Sequence, residues 1–78
     1  MEKTVVVYST ATCPYCMMVK NYLKDNKITF TNYDVGADSV RAQEMITKSG
    51  QMGVPVVEID GKIIIGFDRA AIKQELGI

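Results

Sequence analysis

The chain's 78 residues suffice for one domain, burying about 60–65% of the surface the unfolded chain exposes, and leave no room for a second core. With 47% hydrophobic and 23% charged residues it is globular, neither disordered nor membrane-spanning. Nine basic residues cancel nine acidic ones without any Lys/Arg cluster, which excludes the electrostatic footprint of a nucleic-acid binder.

Thr4-Val5-Val6-Val7-Tyr8 is a β-branched apolar run that reads as a buried strand over residues 4–8. Residues 14–25 read as a helix with Cys16, Val19, Tyr22 and Leu23 on one face, ending at Asn26 or Lys27. Ile28 to Tyr33 alternates, with Ile28, Phe30 and Asn32 on one side and Thr29, Thr31 and Tyr33 on the other, which suits a half-exposed edge strand. Gly36 breaks that run. Asp38 or Ser39 caps a second helix, roughly residues 39–48, with Val40, Ala42, Met45 and Ile46 as its apolar members and Gly50 as its stop. Residues 50–53 form a loop.

Val54 to Ile59 and Lys62 to Ile65 pair as a hairpin, because Asp60-Gly61 accepts the two positive φ angles of a type I′ turn. Asp68 caps a last helix that runs through Ala70, Ala71, Ile72 and Leu76 to Gly77. The order is βαβαββα in one domain over residues 1–78. A βαβ unit is parallel and right-handed, and a tight hairpin is antiparallel, so the sheet is mixed with helices on its faces.

The only two cysteines stand in Cys13-Pro14-Tyr15-Cys16, where the first strand gives way to a helix. The first four amides of a helix lack intrahelical acceptors, so a sulfur at the cap meets N–H donors and the positive end of the dipole. Both favour thiolate over thiol, with the Tyr15 and Cys16 amides as the expected donors. Pro14 falls at the first helical position, where its missing N–H costs nothing. Cys16 lies one turn along, within disulfide reach. A loop this short contributes only about 2 kcal/mol as a staple, so the fold must stand without it, as a reversible couple requires.

The N-terminal residues lack the length and cleavage pattern of a signal peptide, so a cytoplasmic location is expected, without membrane association. In that reducing compartment a C-x-x-C reads as redox-active or metal-binding before structural. The absence of histidine removes a Cys-His dyad and any Cys/His zinc finger within the chain.

Cys-Pro-Tyr-Cys after the first strand, Val54-Pro55 before the third and Gly66-Phe67-Asp68 before the last helix together resemble the dithiol glutaredoxins of the thioredoxin-fold superfamily, over roughly residues 4–76. The resemblance implies a thioredoxin-like α/β fold, a four-stranded mixed sheet flanked by three helices. It implies a thiol–disulfide oxidoreductase with Cys13 as nucleophile, Cys16 as resolving thiol, Pro14 and Tyr15 in support, and Pro55 in a cis peptide beside them. Glutathione would be a co-substrate, with no tightly bound cofactor or metal. Its cysteinyl part would pair with the Val54 backbone, its glycine carboxylate with Gln51, and its γ-glutamyl end with Asp68 and the amides around Gly66 and Phe67. Partners would be disulfide-containing or glutathionylated proteins, met by a monomer.

The chain departs from the family's common pattern at Thr10, where many members carry lysine, at Gly53, where they carry threonine, and at Ile65-Gly66, where they carry Gly-Gly. The Gly-Phe-Asp turn also resembles redoxins that take electrons from thioredoxin reductase to ribonucleotide reductase. Two metal alternatives stay open. A Cu(I) carrier also places C-x-x-C after a first strand, but on a flexible loop in a βαββαβ order. A 2Fe–2S cluster can be shared between two chains through Cys13 and glutathione.

Overall fold

The valine-rich run becomes β1 (Val5–Ser9), the strand against which the rest of the chain is assembled. In the computed structural model, which describes residues 3–78, it is followed by α1 (Pro14–Asp25), β2 (Thr31–Asp34), α2 (Ser39–Ser49), β3 (Val56–Ile59), β4 (Lys62–Ile65) and α3 (Arg69–Leu76). Of the domain expected over residues 1–78, residues 1 and 2 lie outside the described residues. The sheet order is β2-β1-β3-β4, with β1 and β2 parallel and the other pairs antiparallel. The expected element order and mixed four-stranded sheet are both present, and the order is not the βαββαβ of a small copper carrier.

The central place of β1 explains its composition: a strand covered on both faces has no polar side to alternate with. Val5 and Val7 pack with Val57, Ile59 and Ile64 against Val19 and Leu23 of α1 and Ile72 of α3. Tyr8 and Val56 pack on the opposite face against Met45 of α2. Fully burying a side chain of this size stabilises by about 1.5–3 kcal/mol, so both faces contribute. The α1 face reads as expected, with Cys16, Val19 and Leu23 buried and Tyr22 packed at the core edge.

The second strand begins later than its alternation suggests. Helix α1 ends in a Schellman arrangement in which the Lys27 amide donates to the Lys24 carbonyl and the Ile28 amide to the Leu23 carbonyl, each at 2.9 Å. Lys27 takes the left-handed conformation this requires, at φ 59°. The Ile28 amide is thus committed to the helix end, and ladder pairing starts only at Thr31, opposite Val6. Ile28 and Phe30 instead pack on the core from an irregular segment. Val40 also departs from its expected place and is 74% exposed. At 100° per residue it points about 140° away from Met45, on the far side of α2.

Helix α2 is locked to the sheet by a polar cluster at its half-buried flank. The Tyr8 hydroxyl donates to Glu44 Oε2 at 2.6 Å, and Arg41 bridges both Glu44 oxygens at 3.2 Å while stacking over the Tyr33 ring at 4.1 Å. Burial, then the bond to Glu44, pushes the Tyr8 phenol up to about 12, and the same bond is the main reason the Glu44 carboxyl is lowered.

Two expectations follow for stability. Lys27→Gly removes the steric cost of a side chain at positive φ, offset partly by greater unfolded-state entropy, and should stabilise by about 0.5–1 kcal/mol, raising Tm by about 2–8 °C in a thermal melt. Tyr8→Phe should cost about 1–2 kcal/mol near pH 7. Because the folded phenol titrates near 12, above its unfolded value of about 10, the wild type keeps this contribution below pH 10 and loses it as pH rises towards 12. Urea unfolding at stepped pH should show a steeper alkaline loss in the wild type than in Tyr8→Phe, the loss due to the raised Cys16 thiol being common to both.

Candidate active site

Since β1 is paired on both sides, its carboxyl end delivers the chain at the middle of the sheet's edge, and a short turn at residues 11–12 carries it into α1. Cys13 is the N-cap of that helix, with extended dihedrals of φ −98° and ψ 111°, and Pro14 occupies the first helical position. The Cys16 amide donates to Cys13 Sγ at 3.2 Å. Of the two amides expected to face the sulfur, only that of Cys16 bonds to it; the Tyr15 amide makes no such bond. Both cysteines are free thiols, Cys13 partly exposed and Cys16 fully buried.

The two sulfurs are therefore chemically unequal. Burial pushes the Cys16 thiol up to about 11, and its hydrogen bond with Cys13 adds to the rise, against the opposing influence of a Thr10 backbone bond and the Lys20 charge. Cys13 is the sulfur a second molecule can reach.

The residues grouped around glutathione by sequence resemblance come together unevenly. Val54 lies beside Cys13, its carbonyl 3.9 Å from Cys13 Sγ, and the Val54-Pro55 peptide is cis, with Pro55 fully buried. The Gly66 amide is already bonded to the Pro55 carbonyl at 2.8 Å, so it ties the approach to α3 to the Val54-Pro55 turn. Gly66 adopts φ 77°, which explains glycine there. Phe67 packs edge-on against Tyr22 at 6.0 Å and joins the α1–α3 core. Asp68 is exposed and caps α3, accepting from the Ala71 amide at 3.1 Å. Tyr15 is 62% exposed next to Cys13 in sequence.

Gln51 is turned inward on its own loop. Its side-chain amide accepts from the Gly53 amide at 2.6 Å and donates to the Gly53 carbonyl at 3.0 Å. Ser49 stands behind it, its hydroxyl bonded to the Met45 and Gln51 carbonyls at 2.7 and 3.0 Å. Sequence reasoning assigned no part to Ser49 or Gly53 in this arrangement. The available signal was the pair Gly50 and Gly53 in a four-residue loop, since such glycines mark turns and close backbone approach.

Comparison with known proteins places this geometry in context. A family model described as glutaredoxin matches residues 5–64. The chain is 47% identical over 70 residues to an uncharacterized glutaredoxin-like 8.6 kDa protein in the rubredoxin operon of Clostridium pasteurianum, covering 90% of this chain and 93% of that one. It is 34% identical over 64 residues to glutaredoxin 3 of Escherichia coli K12, covering 82% and 77%. Among solved structures, a thioredoxin-like protein superposes with a TM-score of 0.89 at 30% identity, covering 94% of this chain and all of that one. The fold is also that of the glutaredoxin of Archaeoglobus fulgidus, with a TM-score of 0.85 at 23% identity over 92% and 84%.

The inequality of the sulfurs has a direct readout. With its sulfur buried and its thiol raised, Cys16 keeps its proton at pH 7. Iodoacetamide at that pH should place one adduct, on Cys13, on the native protein and two after denaturation. Native modification of Cys16 should grow only as pH approaches 11, and peptide mapping by mass spectrometry distinguishes the sites.

Proposed function

The chain belongs to the glutaredoxin family, and from that premise we propose that it is a thiol–disulfide oxidoreductase in which Cys13 attacks and Cys16 resolves. The observation that carries this reading is the partly exposed Cys13 sulfur at the α1 N-cap, accepting the Cys16 amide at 3.2 Å, with the second sulfur buried one turn along.

Cys13, as thiolate, attacks one sulfur of a substrate disulfide. A Cys13–substrate bond forms, the substrate S–S bond breaks, and the departing sulfur takes up a proton. Cys16 then gives up its proton and attacks Cys13 Sγ, so that the Cys13–Cys16 bond forms and the second substrate sulfur leaves as a thiol. Two electrons have passed to the substrate. One glutathione attacks Cys13 and frees Cys16, which is reprotonated; a second attacks the bound glutathione sulfur, releasing Cys13 and glutathione disulfide. Burial of Cys16 decides which sulfur of the pair is attacked, because only Cys13 is open to a second molecule. With glutathionylated substrates a second glutathione can release Cys13 without Cys16.

Glutathione serves here as co-substrate, its cysteinyl part alongside Val54 and its γ-glutamyl end towards Phe67 and Asp68. The proximity of Val54 to Cys13 Sγ supports this. The protein acts as a monomer in the reducing cytoplasm on protein disulfides and glutathione mixed disulfides. No described helix is long and apolar enough to cross a membrane. A second reading, reduction by thioredoxin reductase with ribonucleotide reductase as an acceptor, is favoured by one set of observations: Thr10 is neutral, while the Gly66 amide, the Gln51 amide and the Asp68 carboxylate are each engaged within the protein.

Cys16→Ser is expected to keep deglutathionylation and lose reduction of protein disulfides, whereas Cys13→Ser loses both; loss of both in Cys16→Ser would defeat the division of roles. NADPH turnover coupled through glutathione and glutathione reductase, set against turnover with thioredoxin reductase, separates the two electron donors.

A further inference from the structure

Residues 51–54 lie between the end of α2 and the first residue of β3, and have no ladder partner. Backbone polar groups in such a segment need partners from elsewhere. At Gly53 both groups are satisfied by a single side chain: the Gln51 amide accepts from the N–H and donates to the carbonyl, as a neighbouring peptide of a strand would. We infer that this clasp makes Gln51 a positioning residue, one that holds the Val54 carbonyl against Cys13 and takes no part in binding the glycine carboxylate of glutathione. The inference rests on Cys13 being the attacking sulfur.

The path is short and continuous. Ser49 at the end of α2 bonds to the Met45 and Gln51 carbonyls, Gln51 clasps Gly53, and the next residue presents its carbonyl 3.9 Å from Cys13 Sγ. Beyond Val54 the buried Pro55 carbonyl is held by the Gly66 amide. The turn beside the nucleophile is therefore fixed at both ends, by Gln51 before it and Gly66 after it. Both ends of the Gln51 amide are thus turned onto its own loop, with Oε1 and Nε2 on Gly53 and Nε2 also 3.5 Å from Ser49 Oγ, so binding a ligand carboxylate would compete with the clasp. Gly53 is the other half of the device: a Cβ there would stand 2.7 Å from Gln51 Oε1, so a side chain fits only if Gln51 swings away and the clasp opens.

Reduced protein is mixed with hydroxyethyl disulfide, which has no carboxylate, and with glutathione disulfide, and the two oxidation rate constants are measured by single-turnover kinetics. Each event transfers two electrons, yielding the Cys13–Cys16 disulfide and two small thiols. Gln51→Met, similar in volume but unable to bond to Gly53, should slow both reactions by the same factor, about tenfold, since a displacement of about 1 Å at a reacting centre costs up to about a hundredfold. Its unfolding midpoint should stay close to that of the wild type. Gly53→Thr should behave alike, and Gln51→Ala/Gly53→Thr should be no slower than Gln51→Ala alone. A loss confined to glutathione disulfide, no loss with either disulfide, or additive losses in the double variant would each overturn the inference. If Gln51→Met does not fold, Gln51→Glu, which keeps the acceptor and removes the donor, is carried through the same comparison. A wild type inert towards both disulfides would take down the oxidoreductase reading as well.

Discussion

A helix that follows a largely buried central strand must leave amides unpaired where the chain turns, and this protein places a sulfur there. The Cys16 amide at 3.2 Å from Cys13 Sγ is that constraint made local. Everything that positions it lies upstream or beneath. β1 is fixed by pairing on both edges and by cores on both faces, Pro14 sets the first helical φ, and Val19 and Leu23 anchor the helix so that its first turn cannot drift from the sheet.

The same short turn separates the fates of two identical side chains. Three residues apart on α1, one sulfur faces outward at the cap and the other faces the core with no exposed surface. Removing an ionisable group from water disfavours its charged form, which is why Cys16 is raised while it remains within reach of its neighbour. Position on the helix does this in a chain without histidine, and burial outweighs the opposing Lys20 charge. A buried thiol raised in this way keeps its proton, and of the two sulfurs only that of Cys13 is open to a second molecule.

Legibility of this arrangement in the sequence followed the range of the forces involved. Pro14, Asp60-Gly61, Gly50 and the caps Asp38 and Asp68 act over one turn of chain, and each is found where its chemistry indicates. The core face of α1 was equally readable, because its period is set by the helix itself. The start of β2 was not. Ile28 alternates with its neighbours as a strand residue would, yet its amide is taken by Leu23, and no pattern of side chains announces that a helix end will claim it. Val40 misled for a related reason, since an apolar residue at the start of a helix counts towards the core only if its angle matches. At the site, the cysteines and Val54-Pro55 were legible as a motif, while the inward turn of Gln51 was not, because composition does not say whether an amide faces solvent or its own backbone.

That inward turn shifts how the site as a whole is understood. A recognition surface needs groups whose hydrogen bonds are unspent, and around Cys13 the protein has spent many of them on itself: Gln51 on Gly53, the Gly66 amide on Pro55, Asp68 on the first turn of α3. Each bond adds order to the backbone that borders Cys13 and engages a group that could otherwise meet a charged ligand. Asp68 alone combines its internal bond with broad exposure, and a carboxylate accepting one N–H retains lone pairs for another donor. The balance of the site therefore lies with main-chain geometry at Val54 more than with side-chain charge.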